Sequence, residues 1–420
     1  MKYSVFDSYK EILTFLAIIF TVFIINLGFE YYEFKQFKQD KFKTIEAKVE
    51  RSYLKTNKKG RIYRVLKLKT KDFSFYTTFK KEFDFKIRDS IKIGVITDKI
   101  KFKEYLKKSF YMPSYNPKII QNKLNFKDFL IDKIISQHQN SKIQELYTTL
   151  YLATPISKEL RDDVTKWGIA HIVSISGFHL GIIFATLFLI LKPIYKFFQI
   201  RYFPYRSSYF DISVFGFLIM FYYLILLDFT PSFLRSLIMA FLGFIFLVRN
   251  LKILSFWTLF LTILLGVAFM PQLLFSIGFY FSCMGVYFIY LYLHHFKDKF
   301  SIPTNLILFN FYVYFAMNIP VYYFFGSVSL YQISVILIGY IFVIFYPLSV
   351  ILHILNLGYL FDDILLKFLN YDIEIYQILI PAWLFYLVNL IALLGIRYKI
   401  LAIIPAIVGI FPVIFIKDLF

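Results

Sequence analysis

The chain has 420 residues, of which 59% are hydrophobic and 22% aromatic, with a mean hydropathy of +0.62. A soluble fold of that length cannot hide so much apolar surface, so the composition excludes a water-soluble globular protein and points to a chain solvated by a bilayer. The formal charge is +20 although only 18% of residues are charged, and most of the surplus lies in Glu30–Asp128, where 27 Lys and Arg face 12 Asp and Glu.

The first predicted element is Ile12–Phe29, an uncharged apolar run spanning roughly 27 Å as a helix. It ends Asn26-Leu27-Gly28-Phe29-Glu30, without a small-residue cleavage site, which favours a retained anchor over a signal peptide. From Glu30 to Tyr111 the period becomes two. Ile45, Ala47 and Val49 alternate with Glu46, Lys48 and Glu50, and Leu66 and Leu68 with Lys67 and Lys69. Phe73, Phe75, Thr77 and Phe79 alternate with Ser74, Tyr76 and Thr78, and Phe83, Phe85 and Ile87 with Asp84, Lys86 and Arg88. Asn57-Lys58-Lys59-Gly60 is a turn between two such runs. Several short strands within about eighty residues predict a small β-barrel, of which the OB-fold is one example. Tyr63, Phe73, Phe75, Tyr76 and Phe79 are read mostly as its core. Pro113 and Pro117 end the β segment, Ile119–Ile135 is predicted as an interfacial helix, and Tyr147–Trp167 as helical with Pro155 at a turn.

Nine apolar spans follow: Ile169–Leu191, Tyr209–Leu227, Phe233–Val248, Ile253–Met270, Leu274–Leu293, Asn305–Phe325, Leu330–Ile354, Ile378–Leu394 and Ile400–Ile416. The predicted fold class is therefore an α-helical polytopic membrane protein of about ten spans, with a small extramembrane β-barrel (OB-like) inserted after the first. The corresponding domains are a 1–29 anchor, a basic 30–118 β-rich domain, 119–168 interfacial helices and a 169–420 polytopic domain. The basic loops Lys192–Arg206, Arg249–Lys252 and His294–Lys299 mark one side as cytoplasmic. Counting back places residues 30–167 in the periplasm and the N-terminus in the cytoplasm, whereas Asp362–Glu374 and Arg397–Lys399 run against the charge rule. The single cysteine, Cys283, rules out an intrachain disulfide and a Cys-based metal cluster.

Trp167–Gly181, WGIAHIVSISGFHLG, places His171, Ser174, Ser176, Gly177, His179 and Gly181 in a segment otherwise fit to cross hydrocarbon. Polar groups at that depth are costly unless they face a cavity or each other. Gly177 among them can interrupt a helix where water satisfies the freed backbone. The competing structural reading is an unbroken helix whose hydroxyls bond to their own carbonyls. Arg235 enters an apolar helix, and either a passing phosphate or an acid such as Asp228 would suit it; snorkelling to the interface is the alternative.

The segment resembles the signature of the ComEC family of competence proteins, approximately G-[LI]-x-H-[LI]-[LV]-x-[IV]-S-G-[LF]-H-[LV]-G. Gly168, Ile169, His171, Ile172, Val173, Ile175, Ser176, Gly177, Phe178, His179, Leu180 and Gly181 match it. Ser157, Leu160, Arg161 and Asp162 are similar to the family's S-x-x-L-R-D helix. Pro231-Ser232-Phe233-Leu234-Arg235 with Met239 resembles P-S-x-x-R-x-x-x-M. Ile277–Ser282 resembles G-F-x-L-S, with Phe281 for the usual Leu, and Phe324–Leu330 resembles F-F-G-x-x-S. The H-x-H-x-D-H motif of the family's metallo-β-lactamase-like domain is absent, so the resemblance is to a short form, and a strand-degrading nuclease is expected to be a separate protein.

The resemblance implies a bacterial inner-membrane channel passing single-stranded DNA during natural transformation, with a periplasmic DNA receptor and a cytoplasmic DNA motor as partners and membrane lipid as solvent. It implies no enzymatic activity of the chain itself, and no cofactor or metal is expected. The helix break with Asp228 and Arg235 would line the passage. Lys55, Lys58, Lys59, Arg61 and Arg64 are the candidate DNA-binding surface, because basic side chains displace counterions from phosphate and aromatics stack unpaired bases. No Walker sequence appears, so energy must come from a partner or the membrane potential. Whether the pore forms within one chain or between two copies of a homodimer is open. A small-solute transporter is the first rival. A lipid or glycan transferase is the second; Asp362-Asp363 is its nearest acidic pair, with only distant His353 to help.

Overall fold

A computed structural model describes residues 8–57, 59–81, 83, 85–120, 125–251 and 253–417. Lys58, Asp84 and Lys252 lie outside them. The chain divides into two compact units, one formed by Phe6–Phe129 with Leu264–Ser276, the other chiefly by Leu130–Ile263 with Ile277–Phe420.

The first unit opens with α1 (Tyr9–Phe37), whose N-terminal amides are capped by the Ser8 hydroxyl accepting from Glu11 N. The helix runs past the apolar stretch for two further turns, and these carry Phe34 and Phe37 into the core of the sheet that follows. Glu30 on the same extension pairs with Lys108 at 2.6 Å. The expected β segment therefore begins not at Glu30 but at β1 (Phe42–Thr56).

The remaining elements are β2 (Ile62–Lys69), β3 (Ser74–Lys80), β4 (Ser90–Ile96), α2 (Phe102–Leu106), β5 (Ser109–Tyr111) and β6 (Ser114–Ile120). They form one six-stranded mixed sheet in the order β5-β3-β2-β1-β4-β6, parallel only between β3 and β5. β1 is long enough to serve two partners: Phe42–Lys48 pairs with β4, and Lys48–Thr56 with β2 across a bulge at Val49/Arg51. The bulge bends the strand, which lets one ribbon turn from one half of the sheet into the other. The two outermost strands, β5 and β6, are separated only by Met112-Pro113, and Thr77 of β3 hydrogen bonds to Ser114 of β6. Alternate residues of the strands, among them Ala47, Val49, Leu66, Leu68, Phe75, Ile91, Ile93 and Val95, make the core with Phe73, Tyr105, Phe110 and Met112.

Two expectations fail here. The described residues of Phe83–Arg88 form no strand: Asp89 Oδ2 accepts from Lys86 N at 2.8 Å, Arg88 has φ of 78°, and the chain turns at Ile87–Arg88. Pro117 does not end the β segment but lies within β6, an edge strand whose pairing with β4 shifts register between Lys92 and Gly94, where a missing N–H is tolerated. Of the predicted interfacial helix, Ile119 and Ile120 belong to β6, residues 121–124 lie outside the described residues, and α3 is Phe126–Ile135. Asp128 at its start accepts from Lys48 Nζ at 2.5 Å and from Asn125 N at 3.1 Å, with Arg88 Nε at 3.6 Å. Burial alone would raise its carboxyl, but these partners outweigh that and hold it below the usual carboxylate range.

The second unit is helical. It contains α4 (Ser141–Leu152), α5 (Lys158–Lys166), α6 (Ala170–Val173), α7 (Gly177–Tyr202), α8 (Ser208–Leu226) and α9 (Pro231–Val248). After α10 (Phe256–Phe269) come α11 (Ile277–Phe296), α12 (Ile302–Phe325), β7 (Ser327–Val328), α13 (Val335–Ile354), α14 (Asp362–Leu369), β8 (Tyr376–Gln377), α15 (Ala382–Leu394) and α16 (Lys399–Lys417). Among the described residues seven helices, α1 included, are long and apolar enough to cross a membrane; the Leu330–Ile354 span comprises α13 and the helical turn before it. The span count is thus lower than ten. Three of the ten expected spans are not among the seven: α10 and α15, at 14 and 13 residues, reach only about 20 Å, short of a hydrocarbon core of about 30 Å, and in α16 the apolar helix is counted over Lys399–Val413 only. His294 and His295, expected in a basic loop, belong to the last turn of α11, where His295 Nε2 lies 2.7 Å from the Gly395 carbonyl.

α16 contains Pro405 and Pro412, and α12 donates to the carbonyl three residues before each: Tyr312 Oη to Ala402 at 2.7 Å and Asn318 Nδ2 to Gly409 at 2.9 Å. Each bond lies one residue after the i−4 carbonyl that the proline leaves without its N–H donor, so α12 supplies donors to the backbone at both interruptions of α16. A Cβ on Gly409 would overlap the Phe315 carbonyl oxygen, so the two helices touch backbone to backbone.

Candidate functional site

The signature segment is not one helix. α6 ends at Val173, Ser174 and Ser176 are extended, and α7 starts at Gly177. The break is built by capping. Ser176 is the N-cap of α7, its hydroxyl accepting from Phe178 N at 3.3 Å, while His179 Nδ1 reaches back to accept from Ser176 N at 3.3 Å. Ser176 and His179 thus form a capping box in which histidine replaces the usual Glu or Gln. The predicted span Ile169–Leu191 is accordingly divided, with the interruption three residues before Gly177.

Gly177 serves close approach instead. A Cβ there would stand 2.7 Å from Ser236 Oγ and 3.2 Å from Arg235 Nη2. The second sequence block, at the start of α9, clasps the break: Ser232 Oγ donates to the Ile175 carbonyl at 2.6 Å, and Ser236 Oγ donates to the Ser232 carbonyl at 2.8 Å. Arg235 is 5% exposed, and its guanidinium donates to Ser236 Oγ at 2.7 Å, Ser282 Oγ at 2.5 Å and Met239 Sδ at 3.3 Å. Ser282 belongs to the third block, on α11, so residues 175–177, 232–239 and 282 meet around one cation. Among the described residues no carboxylate bonds Arg235. Asp228 lies exposed in the α8–α9 turn, with φ of 53°, and does not pair with it.

His179 is fully buried against Phe342 and Tyr346 of α13, at ring-centroid distances of 5.3 and 4.9 Å. Because Nδ1 accepts, Nε2 carries the proton, and among the described residues it has no acceptor. His171, Ser174 and Gly181 lie on the exposed side of the segment. The six signature residues therefore divide, with Ser176, Gly177 and His179 turned to the α9 and α13 side. Gln332, two residues past the fourth block, supports the approach to the break: a Cβ at Gly168 (φ +71°) would meet the Gln332 carbonyl, and Gln332 Nε2 donates to the Thr165 carbonyl at 3.0 Å and to that of Ser327, within the block, at 3.1 Å.

The basic candidates lie in the other unit, on the β1–β2 hairpin. Lys55 and Arg64 sit near its end, where Lys55 is opposite Tyr63 and Arg64 opposite Leu54. The turn is held by Asn57 Oδ1 accepting from Lys59 N at 2.9 Å and Arg61 N at 3.0 Å, with Gly60 at φ +75°. Lys55, Lys59 and Arg61 are exposed, and Arg64 is half-buried with Nη1 donating to Ser52 Oγ at 2.8 Å. Lys58 is outside the described residues. Exposed Tyr53, Leu54 and Ile62 share this tip, whereas Phe73 and Phe75 are core and Tyr63, Tyr76 and Phe79 are half-buried.

Sequence reading missed Ser236, Phe342 and Tyr346, which no motif marks, and marked Ser282 only as the end of the Ile277–Ser282 block. It also missed that His138 joins Asp362 to His353. These residues lie up to 224 positions apart, a separation over which local pattern carries no signal.

No curated protein and no solved structure matches the chain. The model of one family, described as competence protein, matches residues 153–418, which takes in all four blocks and most of the helical unit. On that match the chain belongs to the competence protein family, the ComEC family, whose role is DNA uptake in transformation.

Proposed function

We propose that the chain conducts single-stranded DNA across the bacterial inner membrane. The observation that supports this best is Arg235, a cation buried where a helix breaks, surrounded by hydroxyls and a thioether and, among the described residues, without an acid. A buried guanidinium is costly to keep unless something negative visits it. A passing phosphate meets that need and leaves no permanent counterion to compete. The Nε2–H of His179, which has no acceptor among the described residues, adds a second donor on the same segment. His171 and Ser174 would face the strand's path from the exposed side.

In this reading the six-stranded sheet is an OB-like barrel, closed where Met112-Pro113 carries the chain from β5 to β6, and it stands in the periplasm as a collector. The tip cations Lys55, Lys59, Arg61 and Arg64 hold phosphate, and Tyr53 offers a face for a base. A periplasmic receptor, a cytoplasmic motor and a separate nuclease would complete the route.

The test separates uptake steps. In a strain lacking the gene, labelled DNA should reach the periplasm normally and fail to enter the cytosol. Arg235→Leu, Ser176→Ala and His171→Ala should copy that phenotype with the protein still in the membrane; cytosolic entry at the parental rate would overturn the reading. Replacing Lys55, Lys59, Arg61 and Arg64 together in the full chain should lower the slope of log affinity for an oligonucleotide against log salt by about 3. An unchanged slope removes the collector.

A further inference from the structure

Apart from the helix break, the helical unit contains a buried chain of titratable groups. His138, in the turn after α3, has a fully buried side chain, and its Nδ1 lies 2.9 and 3.0 Å from the two carboxyl oxygens of Asp362. Its Nε2 lies 3.0 Å from Nε2 of His353, in the last turn of α13. His353 Nδ1 is 2.7 Å from the Ser349 carbonyl. Around them, Tyr151 Oη donates to Ser349 Oγ at 2.8 Å, and Ser349 Oγ donates to the Tyr346 carbonyl at 2.8 Å.

Donor and acceptor roles follow from the partners. A carbonyl only accepts, so His353 Nδ1 carries a hydrogen, and neutral His353 therefore presents a lone pair at Nε2. Asp362 receives His138 Nδ1 nearly equidistantly, as a carboxylate receives an N–H, and neutral His138 likewise presents a lone pair at Nε2. Two lone pairs cannot face each other at 3.0 Å. One additional proton turns the contact into an N–H···N hydrogen bond and makes the triad neutral, imidazolium against carboxylate. A second proton would set two N–H groups head to head. The geometry fits one and only one.

We infer that Asp362, His138 and His353 form a binding site for a single proton, held between the two imidazoles and balanced by the Asp362 carboxylate. The site clasps the end of α13 to the 136–140 turn and to α14. Gln137 reinforces the same junction, donating to the His353 carbonyl at 3.0 Å and accepting from Gly358 N at 3.0 Å. The other groups facing the site are Tyr147 and Tyr151 of α4, whose rings pack on the histidines, and Asp363 beside Asp362. The remaining charges on the packed elements are directed elsewhere. Lys142 binds Asp163 and Glu159, Glu145 binds Ser157, and Asp132, Lys133 and Lys367 are exposed. Burial pushes the Asp362 carboxyl up although His138 opposes it.

The proposal is tested on the full chain in lipid nanodiscs, with ¹⁵N-labelled histidine. One imidazolium should persist at pH 8, above the ordinary histidine value of about 6.5, with scalar coupling between the two facing ring nitrogens. In Asp362→Asn the amide donates to His138 Nδ1, the chain is satisfied without the extra proton, and the imidazolium signal should vanish while coupling remains. Folding of the wild type then takes up one proton. Its folded-to-unfolded ratio should fall up to about tenfold for each pH unit above about 6.5 until the site empties, whereas that of Asp362→Asn should stay flat. Two independent neutral rings in the wild type at pH 8, without coupling, would overturn the inference. So would stoichiometric zinc or copper in the purified protein that a chelator removes with a change at both rings, because the facing nitrogens would then be metal ligands.

Discussion

A Cβ at Gly177 would press on Ser236 Oγ, and that hydroxyl holds Arg235. Gly177→Ala is therefore expected to lower transformation by at least about tenfold, a cost of the size that overpacking imposes, by displacing the guanidinium. Ser236→Ala removes the clashing oxygen, so the Gly177→Ala/Ser236→Ala pair should recover part of the loss; transformation frequency and membrane protein level check it together. Arg235→Lys keeps the charge but not the fork that spans Ser236, Ser282 and Met239, and should cost about tenfold in transformation at unchanged protein level. The sequence marked these residues as a pattern, S-G-F-H and P-S-x-x-R, because unusual polarity in an apolar run is visible locally. Why glycine occupies position 177 was not visible. The reason lies on α9, across a contact of 57 to 59 residues in sequence.

Between elements, α12 and α16 approach so closely that Gly409→Ala should force them apart, at a cost of about 2–3 kcal/mol, read as a lower melting temperature of the purified chain. In the sheet unit, Asp128→Asn leaves Lys48 and Arg88 without their carboxylate and should cost about 2 kcal/mol. The pH dependence follows from the same contact. Asp128 is held below the free carboxylate value of 3.8, so its contribution is complete above that value and is lost as pH falls through the lower folded value. Hydrogen exchange at β1 and β4, corrected for the intrinsic rate, should rise steeply there in the wild type and be already high in Asp128→Asn. Strand periodicity found β1, β2 and β3 because each buries one face. It misread Phe83–Arg88, where the same alternation belongs to a turn stabilised by Asp89, and it passed over β4, whose Ile93, Gly94 and Val95 are consecutively buried.

Across the whole chain, hydropathy found the apolar segments but overcounted the crossings, since 13- and 14-residue helices and full spans look alike in a sliding window. What hydropathy cannot express is convergence, and here three separated blocks meet around a broken helix. The residue next to Ser282 in that convergence is Cys283, the chain's only thiol, and it is buried. The protein is thus already a silent background for single-site chemistry. A thiol introduced at His171 or Ser174 should take up a water-soluble maleimide in intact cells while the parent chain stays unlabelled. Each engineered position then reports on its own surroundings, without a cysteine-free mutant having to be made first.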